Sequence, residues 1–507
     1  MPPAWLDPLF TAAEMRAADA FAIEEAGVPS IDLMERAAAG LARAAAAAAL
    51  PGLPIRVVCG KGNNGGDGLA AARLLRAEGR AVDVLAVGDL SGAEGDARVN
   101  LERLPGPPPE DFDPERLAGS GAIVDAMLGT GFEGTPREPV AGAIDAINGA
   151  GAPVVACDVP SGVNASTGEI AGAAVRAGVT ATFHGPKIGL HVAPGAFHAG
   201  RVEVVEIGIP RGAPGAAGAG LMSDRVLDRI PARTREGSKF TSGTVVIAGG
   251  AAGYTGAPCM VALGAQRTGA GYVQLAVPES AQQAVALRLL EAVTRGLPEQ
   301  DGMHVAAGAG EVSEMAERAG AVVLGPGLGR SDGAAEFARA VAASVEKPMV
   351  VDADGLNAHV GRLESLRGRP GPTVLTPHAG ELARLLDVDS DEVSAHRLER
   401  AREAAERSGC LVLLKGDDTI VAAPGGPAAV SPGATAALAT AGTGDVLAGI
   451  IGALLSKGMD ALEAAAAGVR LHVYAGLAAG ERLGVDHVVA GDVIEAIPQA
   501  FARRAGR

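Results

Sequence analysis

Aromatic side chains are scarce in this 507-residue chain, at 3% of residues with a single tryptophan, which removes the stacking platforms that single-stranded nucleic-acid binders rely on. Basic residues are also in deficit. Lys and Arg total 43 against 59 Asp and Glu, a formal net charge of −16, so a polyanion or an anionic membrane surface is repelled at long range. No nucleic acid and no membrane are expected among the partners, while small-molecule chemistry stays open because a few local basic residues can still bind phosphates. Cysteine is confined to Cys59, Cys157, Cys259 and Cys410, with no C-x-x-C pair. Scattered thiols in or beside apolar runs read as buried and free, in a reducing compartment. The most apolar early stretch, "AAGLARAAAAAAL", is shorter than a bilayer span and carries Arg43, and the N-terminus is interrupted by Glu14, Arg16 and Asp19 before a secretory core can form. A cytoplasmic protein is expected.

What is abundant is alternation. Strand-like runs ("IRVVCG", "AVDVLAV", "AIVDAML", "PVVACDVP", "TATFHG", "RVEVVEIGIP") are interleaved with alanine-rich helical segments in the first part of the chain, the pattern of a parallel sheet with helices on both faces. Residues 211–223, "RGAPGAAGAGLMS", lose all periodicity and read as a connection between domains. A second doubly wound series follows: "GTVVIAGG", "YVQLAVP", "AVVLGPGLG", "PMVVDADG", "TVLTPHAGE" and "CLVLLKGDDTIVAA". The length suits two large domains or three small ones.

The strand ends carry the chemistry. Gly60, Gly62 and Gly65 match G-x-G-x-x-G between a strand and a helix, but Asn63, Asn64 and Asp67 put polar oxygens where a pyrophosphate wants bare N–H groups. An ordinary hydride-transfer site is therefore disfavoured. The runs "GNNGGDG", "VDAMLGTGFEGTPREP", "DVPSGVNASTGE" and "HGPKIGLHVAPG" all close strands, where open α/β sheets bind ligands. Asn64, Asp125 and Ser161 offer hard oxygens with one carboxylate, a set suited to a weakly held monovalent cation. Gly129, Thr130 and Gly131 could form an anion nest. Lys187 reads equally as a phosphate partner or as a solvated loop lysine, and Asp67 as a site carboxylate or a helix cap.

With "LMERAA" before them, the motifs "GNNGGDG", "DAMLGTG", "DVPSG" and "PKIGL" resemble the NAD(P)H-hydrate epimerase family over roughly residues 10–215. The resemblance implies a hydrated-dinucleotide site made by Asn63, Asn64, Gly65, Gly66 and Asp67, by Gly129, Thr130, Gly131, Phe132, Glu133, Gly134 and Thr135, and by Asp158. It places potassium on Asn64, Asp125 and Ser161. Epimerisation at the hydroxyl-bearing ring carbon, through loss of the hydroxyl or ring opening, calls for a group that gives and takes a proton; Asp67 and Asp158 are the candidates.

In the second half, "ALATAGTGDVLAGIIGALL" sets Gly442, Gly444 and Asp445 before an apolar helix, an anion hole with a base beside it, or, read as structure alone, a glycine loop with an aspartate cap. In company with "GPGLG", "DADGLN", "TPHAGE", "LKGDDTIV" and "GYTGAPCMVALGAQRTGAGYV", this segment resembles the ADP- or ATP-dependent NAD(P)H-hydrate dehydratase branch of the ribokinase-like superfamily over about residues 223–505. That implies hydrated-dinucleotide contacts at Ala257, Gly327, His378 and Asp445, although His378 alone reads as a loop histidine. Nucleotide contacts are implied at Lys415, Gly416, Asp417, Asp418, Thr419 and Gly444, with magnesium accompanying ADP or ATP. Gly355 stands where family members usually have alanine.

The expected fold class is α/β: two doubly wound three-layer αβα domains, Rossmann-like over residues 1–215 and ribokinase-like over residues 223–507. The expected activities are interconversion of the two epimers of NADHX and NADPHX, with Asp158 or Asp67 catalytic, and nucleotide-driven dehydration of the S form, with Asp445 catalytic. A homo-oligomer is expected because both folds often self-associate. The rival reading is a small-molecule hydroxyl kinase with a non-catalytic N-terminal module.

Overall fold

The computed structural model describes residues 3–503, which form two compact units, one of Pro8–Gly220 and the other of Pro3–Asp7 with the chain from Leu221 onward. The first few residues thus group with the second unit rather than the first. The cause is apolar: Trp5 and Leu6 are buried in that unit's core, and Ser223 Oγ donates to the Trp5 carbonyl at 2.7 Å.

In the first unit seven strands lie in the order Glu110–Asp111, Val82–Ala86, Ile55–Cys59, Ala122–Ala126, Val154–Cys157, Val179–Phe183 and Arg201–Val205, and every pair is parallel. Alternate residues feed two cores. Val57, Val124 and Val155 face helices Ser30–Ala48 and Asn63–Ala77, whereas Val58, Ile123 and Val154 face Ile144 and Ile147 of Val140–Gly149. Burial on both faces is why these strands read as unbroken apolar runs. The chain reverses its direction of sheet growth between Ile55–Cys59 and Ala122–Ala126, so a crevice opens at their carboxyl ends.

The second unit repeats this winding on a larger sheet, in the order Leu6–Leu9, Ala219–Met222, Ala428–Val430, Ile420–Ala422, Leu411–Leu414, Thr373–Leu375, Met349–Val351, Ala321–Leu324, Thr244–Ala248, Tyr272–Pro278 and Val293–Leu297. The last seven are mutually parallel, and Ile420–Ala422 and Ala428–Val430 turn antiparallel. The stretch at 211–223 is therefore not wholly a connection, because Ala219–Met222 closes it as a strand. Helices Gly256–Arg267, Thr443–Ser456, Ala461–Leu483 and Ala490–Ala500 fill one large core. The switch point falls between Thr244–Ala248 and Ala321–Leu324, where Gly325 N–H donates to the Ala248 carbonyl at 3.0 Å and Gly250 N–H to the Pro326 carbonyl at 2.8 Å. Gly325 has φ +122, and a Cβ there would overlap the Asp352 carbonyl, so only glycine permits this crossing.

Candidate active sites

In the first unit the glycines of residues 60–68 serve packing. A Cβ on Gly65 would overlap the Gly60 carbonyl, and one on Gly66 would press on Ala97 at 2.9 Å, so these residues let helix Asn63–Ala77 start hard against the strand ends. Gly65→Ala is expected to destabilise the protein by about 3 kcal/mol, since backbone meeting backbone has no rotamer escape; denaturant unfolding checks it. The N-cap of this helix is Gly62. Asp67 is therefore not a cap but sits a full turn inside the helix and faces a cavity of about 1090 Å³.

That cavity lies at the switch point. Asn63, Asn64, Asp67, Gly129, Thr130, Gly131, Phe132 and Asp158 line it, as the motifs imply. Gly65 and Gly66 are buried away from it, while Glu133, Gly134 and Thr135 stand on an exposed loop where Thr135 Oγ1 donates to the Ala171 carbonyl at 3.2 Å. The sequence reading missed Asp19 and Asp96, which also line it; the four-residue step from Met15, another lining residue, to Asp19 on helix Ala12–Ala20 was the available signal.

Lys187 is not the solvated loop lysine of one reading, for it is 1% exposed. Its Nζ donates to Asp158 Oδ1 at 2.5 Å, to Thr182 Oγ1 at 2.9 Å and to the Phe183 carbonyl at 2.8 Å. Asp158, in the left-handed region at φ 66, also accepts from Thr130 Oγ1, from Thr182 Oγ1 and from Phe183 N–H. Burial by itself would raise this carboxyl, but the Lys187 charge and these bonds hold it below its ordinary range. Asp67 moves the other way, raised well above the ordinary value by burial and by the charges of Asp158, Asp19 and Asp96. One cavity thus holds two carboxyls pushed in opposite directions, Asp158 downward and Asp67 upward. Replacing Lys187 by Met leaves Asp158 charged and buried without its cation, at an expected cost of about 3–5 kcal/mol, measurable by chemical unfolding.

The three expected cation ligands converge. Asn64 Nδ2 donates to the Leu128 carbonyl at 3.0 Å, Leu128 N–H donates to Ser161 Oγ at 2.9 Å, and Ser161 donates to Asp125 through Oγ at 2.6 Å and N–H at 2.8 Å. Asp125 is fully buried, and its carboxyl is pushed up to about 6 by that burial. Among the described residues no ion pair reaches it.

In the second unit Gly442, at φ 91, caps helix Thr443–Ser456, so Asp445 is that helix's third residue and not its cap. Burial, with Asp352 and Glu381 adding like charge against the pull of Lys415, raises Asp445 to about 7. Lys415 Nζ donates to Asp352 Oδ1 at 3.1 Å and lies 3.7 Å from Glu381 Oε2. A Cβ on Gly444 would sit 3.5 Å from the same ammonium. The start of the helix, one lysine and three carboxyls therefore share one spot at the carboxyl ends of Met349–Val351, Thr373–Leu375 and Leu411–Leu414.

The other residues implied by the resemblance are placed by their own elements. Ala257 and Gly327 adjoin, a Cβ on Gly327 lying 3.2 Å from that of Ala257. His378 is the N-cap of helix Ala379–Leu386, its Nδ1 accepting from Gly380 N–H at 3.0 Å while Glu381 Oε2 accepts from His378 N–H at 2.9 Å; its ring remains mostly exposed. In the 415–419 loop, Thr419 Oγ1 donates to the Gly416 carbonyl at 2.7 Å and Asp417 Oδ1 accepts from Ala434 N–H at 3.1 Å. Asp418 is turned inward onto Arg397 at 2.8 Å, so this residue reaches the loop surface through its backbone only. Gly355, where alanine is usual, sits with its Cβ position 2.8 Å from the Leu324 carbonyl, a space closed to a methyl group.

Two doubly wound units, each with acid–base groups gathered at the carboxyl ends of its parallel strands and a helix start or a glycine turn for anions, define a two-site α/β enzyme. A family model described as NAD(P)H-hydrate dehydratase matches residues 245–499, and one described as YjeF-related protein N-terminus matches residues 30–189. The chain is 42% identical to the bifunctional NAD(P)H-hydrate repair enzyme Nnr of Salinibacter ruber over 98% of its own length and 97% of the relative's. It is 38% identical to the enzyme of the same name from Moorella thermoacetica, over 97% and 96%. The chain belongs to the bifunctional NAD(P)H-hydrate repair enzyme family. Among solved structures, the ADP/ATP-dependent NAD(P)H-hydrate dehydratase of Bacillus subtilis, co-crystallised with ATP/Mg2+, aligns at 26% identity and a TM-score of 0.49, covering 57% of this chain and 99% of that one.

Proposed function

We propose that the first unit interconverts the R and S epimers of hydrated NADH and NADPH and that the second dehydrates the S epimer at the expense of ADP or ATP. The observation that carries the first half is the opposed pair in one cavity, Asp67 buried among other carboxylates that push its carboxyl upward and Asp158 bonded to Lys187, which holds its carboxyl low. Asp67 gives its proton to the departing ring hydroxyl, the ring nitrogen supplies the electron pair that expels it as water, and water returns to the opposite face while Asp158 takes its proton. Lys187 and Thr130 hold Asp158 in place.

Potassium fits beneath this site. A fully buried carboxylate joined by Asn64, Ser161 and the Leu128 carbonyl is a donor set of hard oxygens with a single negative charge, matched to a monovalent cation. When bound, the ion would neutralise Asp125. Exchange of potassium for tetramethylammonium is expected to lower the thermal midpoint by about 2–4 °C and to slow epimerisation severalfold; scanning calorimetry and rate measurements in the two salts check this.

In the second unit Asp445, poised at about 7, takes the proton of the ring hydroxyl as that oxygen attacks the terminal phosphate of the nucleotide. The N–H groups at the start of helix Thr443–Ser456 and the Lys415 ammonium face the charge that builds on the phosphoryl oxygens. The ring nitrogen then expels phosphate, and proton loss from the neighbouring carbon restores the double bond, giving NAD(P)H, phosphate, and AMP or ADP. Magnesium fits the same spot. Asp352, Glu381 and Asp445 outnumber Lys415, and the ion would supply the missing positive charge around the phosphates. The compartment belongs to this proposal too: the four cysteines are buried and free, as suits a cytoplasmic enzyme. Self-association of the chain is tested by sedimentation.

Phosphorus-31 NMR of the reaction separates this reading from a hydroxyl kinase. Inorganic phosphate appearing with the reduced-nicotinamide absorbance supports it, and an accumulating phosphate ester contradicts it.

A further inference from the structure

Arg397 has no part in the chemistry described above, and none of the motifs singled out in the sequence contains it. It opens helix Arg397–Ser408 and is only 7% exposed. A guanidinium so placed must spend its donors on something, since a buried cation is costly unless paired. Nε donates to Asp418 Oδ2 at 3.0 Å, Nη2 meets Asp418 Oδ1 at 2.8 Å, and Nη2 also donates to the Lys415 carbonyl at 3.3 Å. All three bonds go to the loop of residues 415–419. Between their anchor points, Gly416 lies so close to the guanidinium that a Cβ there would overlap Nη2, so the loop packs directly against the arginine.

Other bonds also hold the loop: the Thr419 carbonyl accepts from Ser431 N–H at 2.9 Å and Thr419 Oγ1 from Gly416 N–H at 3.3 Å. Lys415 N–H is tied to the Pro377 carbonyl at 2.9 Å, Asp417 to Ala434 N–H at 3.1 Å, and Thr419 closes back on Gly416. The far end of the same lysine reaches Asp352 at 3.1 Å and the start of the helix that carries Asp445. The direction in which Lys415 points is therefore set at its carbonyl by Arg397 and at its ammonium by Asp352.

We propose that Arg397 is the positioning residue of the nucleotide loop: gripping Asp418 and the Lys415 carbonyl from beneath, it presets the loop N–H groups and the Lys415 ammonium to receive the phosphates of a nucleoside di- or triphosphate. The inference rests on the reading that residues 415–419 hold the nucleotide. Arginine is needed because its planar fork engages the carboxylate through two nitrogens while sharing one of them with a carbonyl; lysine keeps the charge but offers one compact donor centre. An anchored loop also binds without first having to be ordered, which lowers the entropic cost of the complex.

The test uses the full-length enzyme as wild type and two variants, with affinity read by calorimetry using a non-hydrolysable ATP analogue and kinetics read for nucleotide and hydrate separately. Arg397→Lys is expected to weaken analogue binding and raise the nucleotide KM by about tenfold, with the hydrate KM and the kcat at saturating nucleotide within about threefold of wild type. Lys415→Met is the control on the underlying reading and is expected to weaken analogue binding more strongly. If Lys415→Met binds the analogue as wild type does, the nucleotide-loop reading fails. If Lys415→Met loses binding while folded Arg397→Lys keeps it within about twofold, the loop reading survives and the role of Arg397 is overturned. Hydrogen exchange on the wild-type protein decides the matter even if the arginine variant does not fold. The amides of Lys415, bonded to the Pro377 carbonyl, and of Gly416, bonded to Thr419 Oγ1, are expected to be protected before any nucleotide is added, and free exchange of both until nucleotide binds contradicts the proposal.

Discussion

Asp445→Asn is expected to lower the dehydration rate by about a thousandfold while leaving epimerisation unchanged. The substitution keeps shape and removes only the base, so the loss reflects proton removal together with charge that helps align the hydroxyl. Wild-type dehydration should fall on the acid side of pH about 7, where Asp445 takes up its proton. The same titration has a stability consequence opposite in sign to the usual carboxylate. Its ordinary value is 3.8 and its folded value about 7, so the folded chain holds a proton that the unfolded chain has released. Stability is therefore lost as pH rises between these values, and Asn removes that loss. The variant should be more stable than wild type at pH 8, by on the order of 2 kcal/mol, and the gain should vanish near pH 4; urea unfolding at the two pH values checks both signs.

Removing Asp158 is expected to abolish epimerisation, by about a thousandfold or more, with dehydration of the S epimer intact. A simple replacement by Ala strands Lys187, which is buried with Asp158 as its counter-charge, at an expected cost of about 3–5 kcal/mol. The informative variant is therefore the pair Asp158→Asn with Lys187→Met, which removes both charges together and spares the fold. Given a mixture of epimers, this variant should return the S fraction to NADH quickly and then stall at the rate of spontaneous epimerisation. Asp67→Asn gives the complementary result. It leaves the anchored Asp158 network in place and removes the proton donor, so the epimerase rate falls and its alkaline limb disappears.

Most of the sheet was legible because strands covered on both faces must be apolar throughout: "IRVVCG", "AIVDAML" and "PVVACDVP" correspond to Ile55–Cys59, Ala122–Ala126 and Val154–Cys157. Two strands that escaped notice lie together at one end of the larger sheet. Leu6–Leu9 contains a proline, and Ala219–Met222 is built from small residues at the end of a glycine-rich run, so neither has the β-branched signature of a central strand. The site was legible as far as glycine and carboxylate motifs reach. Which aspartate is held low was not, because that depends on Lys187, twenty-nine positions from Asp158, being buried against it rather than left in solvent. Asp19, Asp96 and Arg397 stand outside every motif and reach their sites only through packing.

The central claim is one chain with two complementary activities. Its most direct test follows the return of reduced-nicotinamide absorbance from an equal mixture of both NADHX epimers, with magnesium, potassium and either ADP or ATP, for wild type and for the Asp158→Asn, Lys187→Met double variant. Complete recovery by wild type, and a halt near half recovery by the variant, is the predicted result. Equal recovery by both proteins contradicts the assignment of epimerisation to the Asp158 cavity, and no recovery by folded wild type contradicts the proposed repair function altogether.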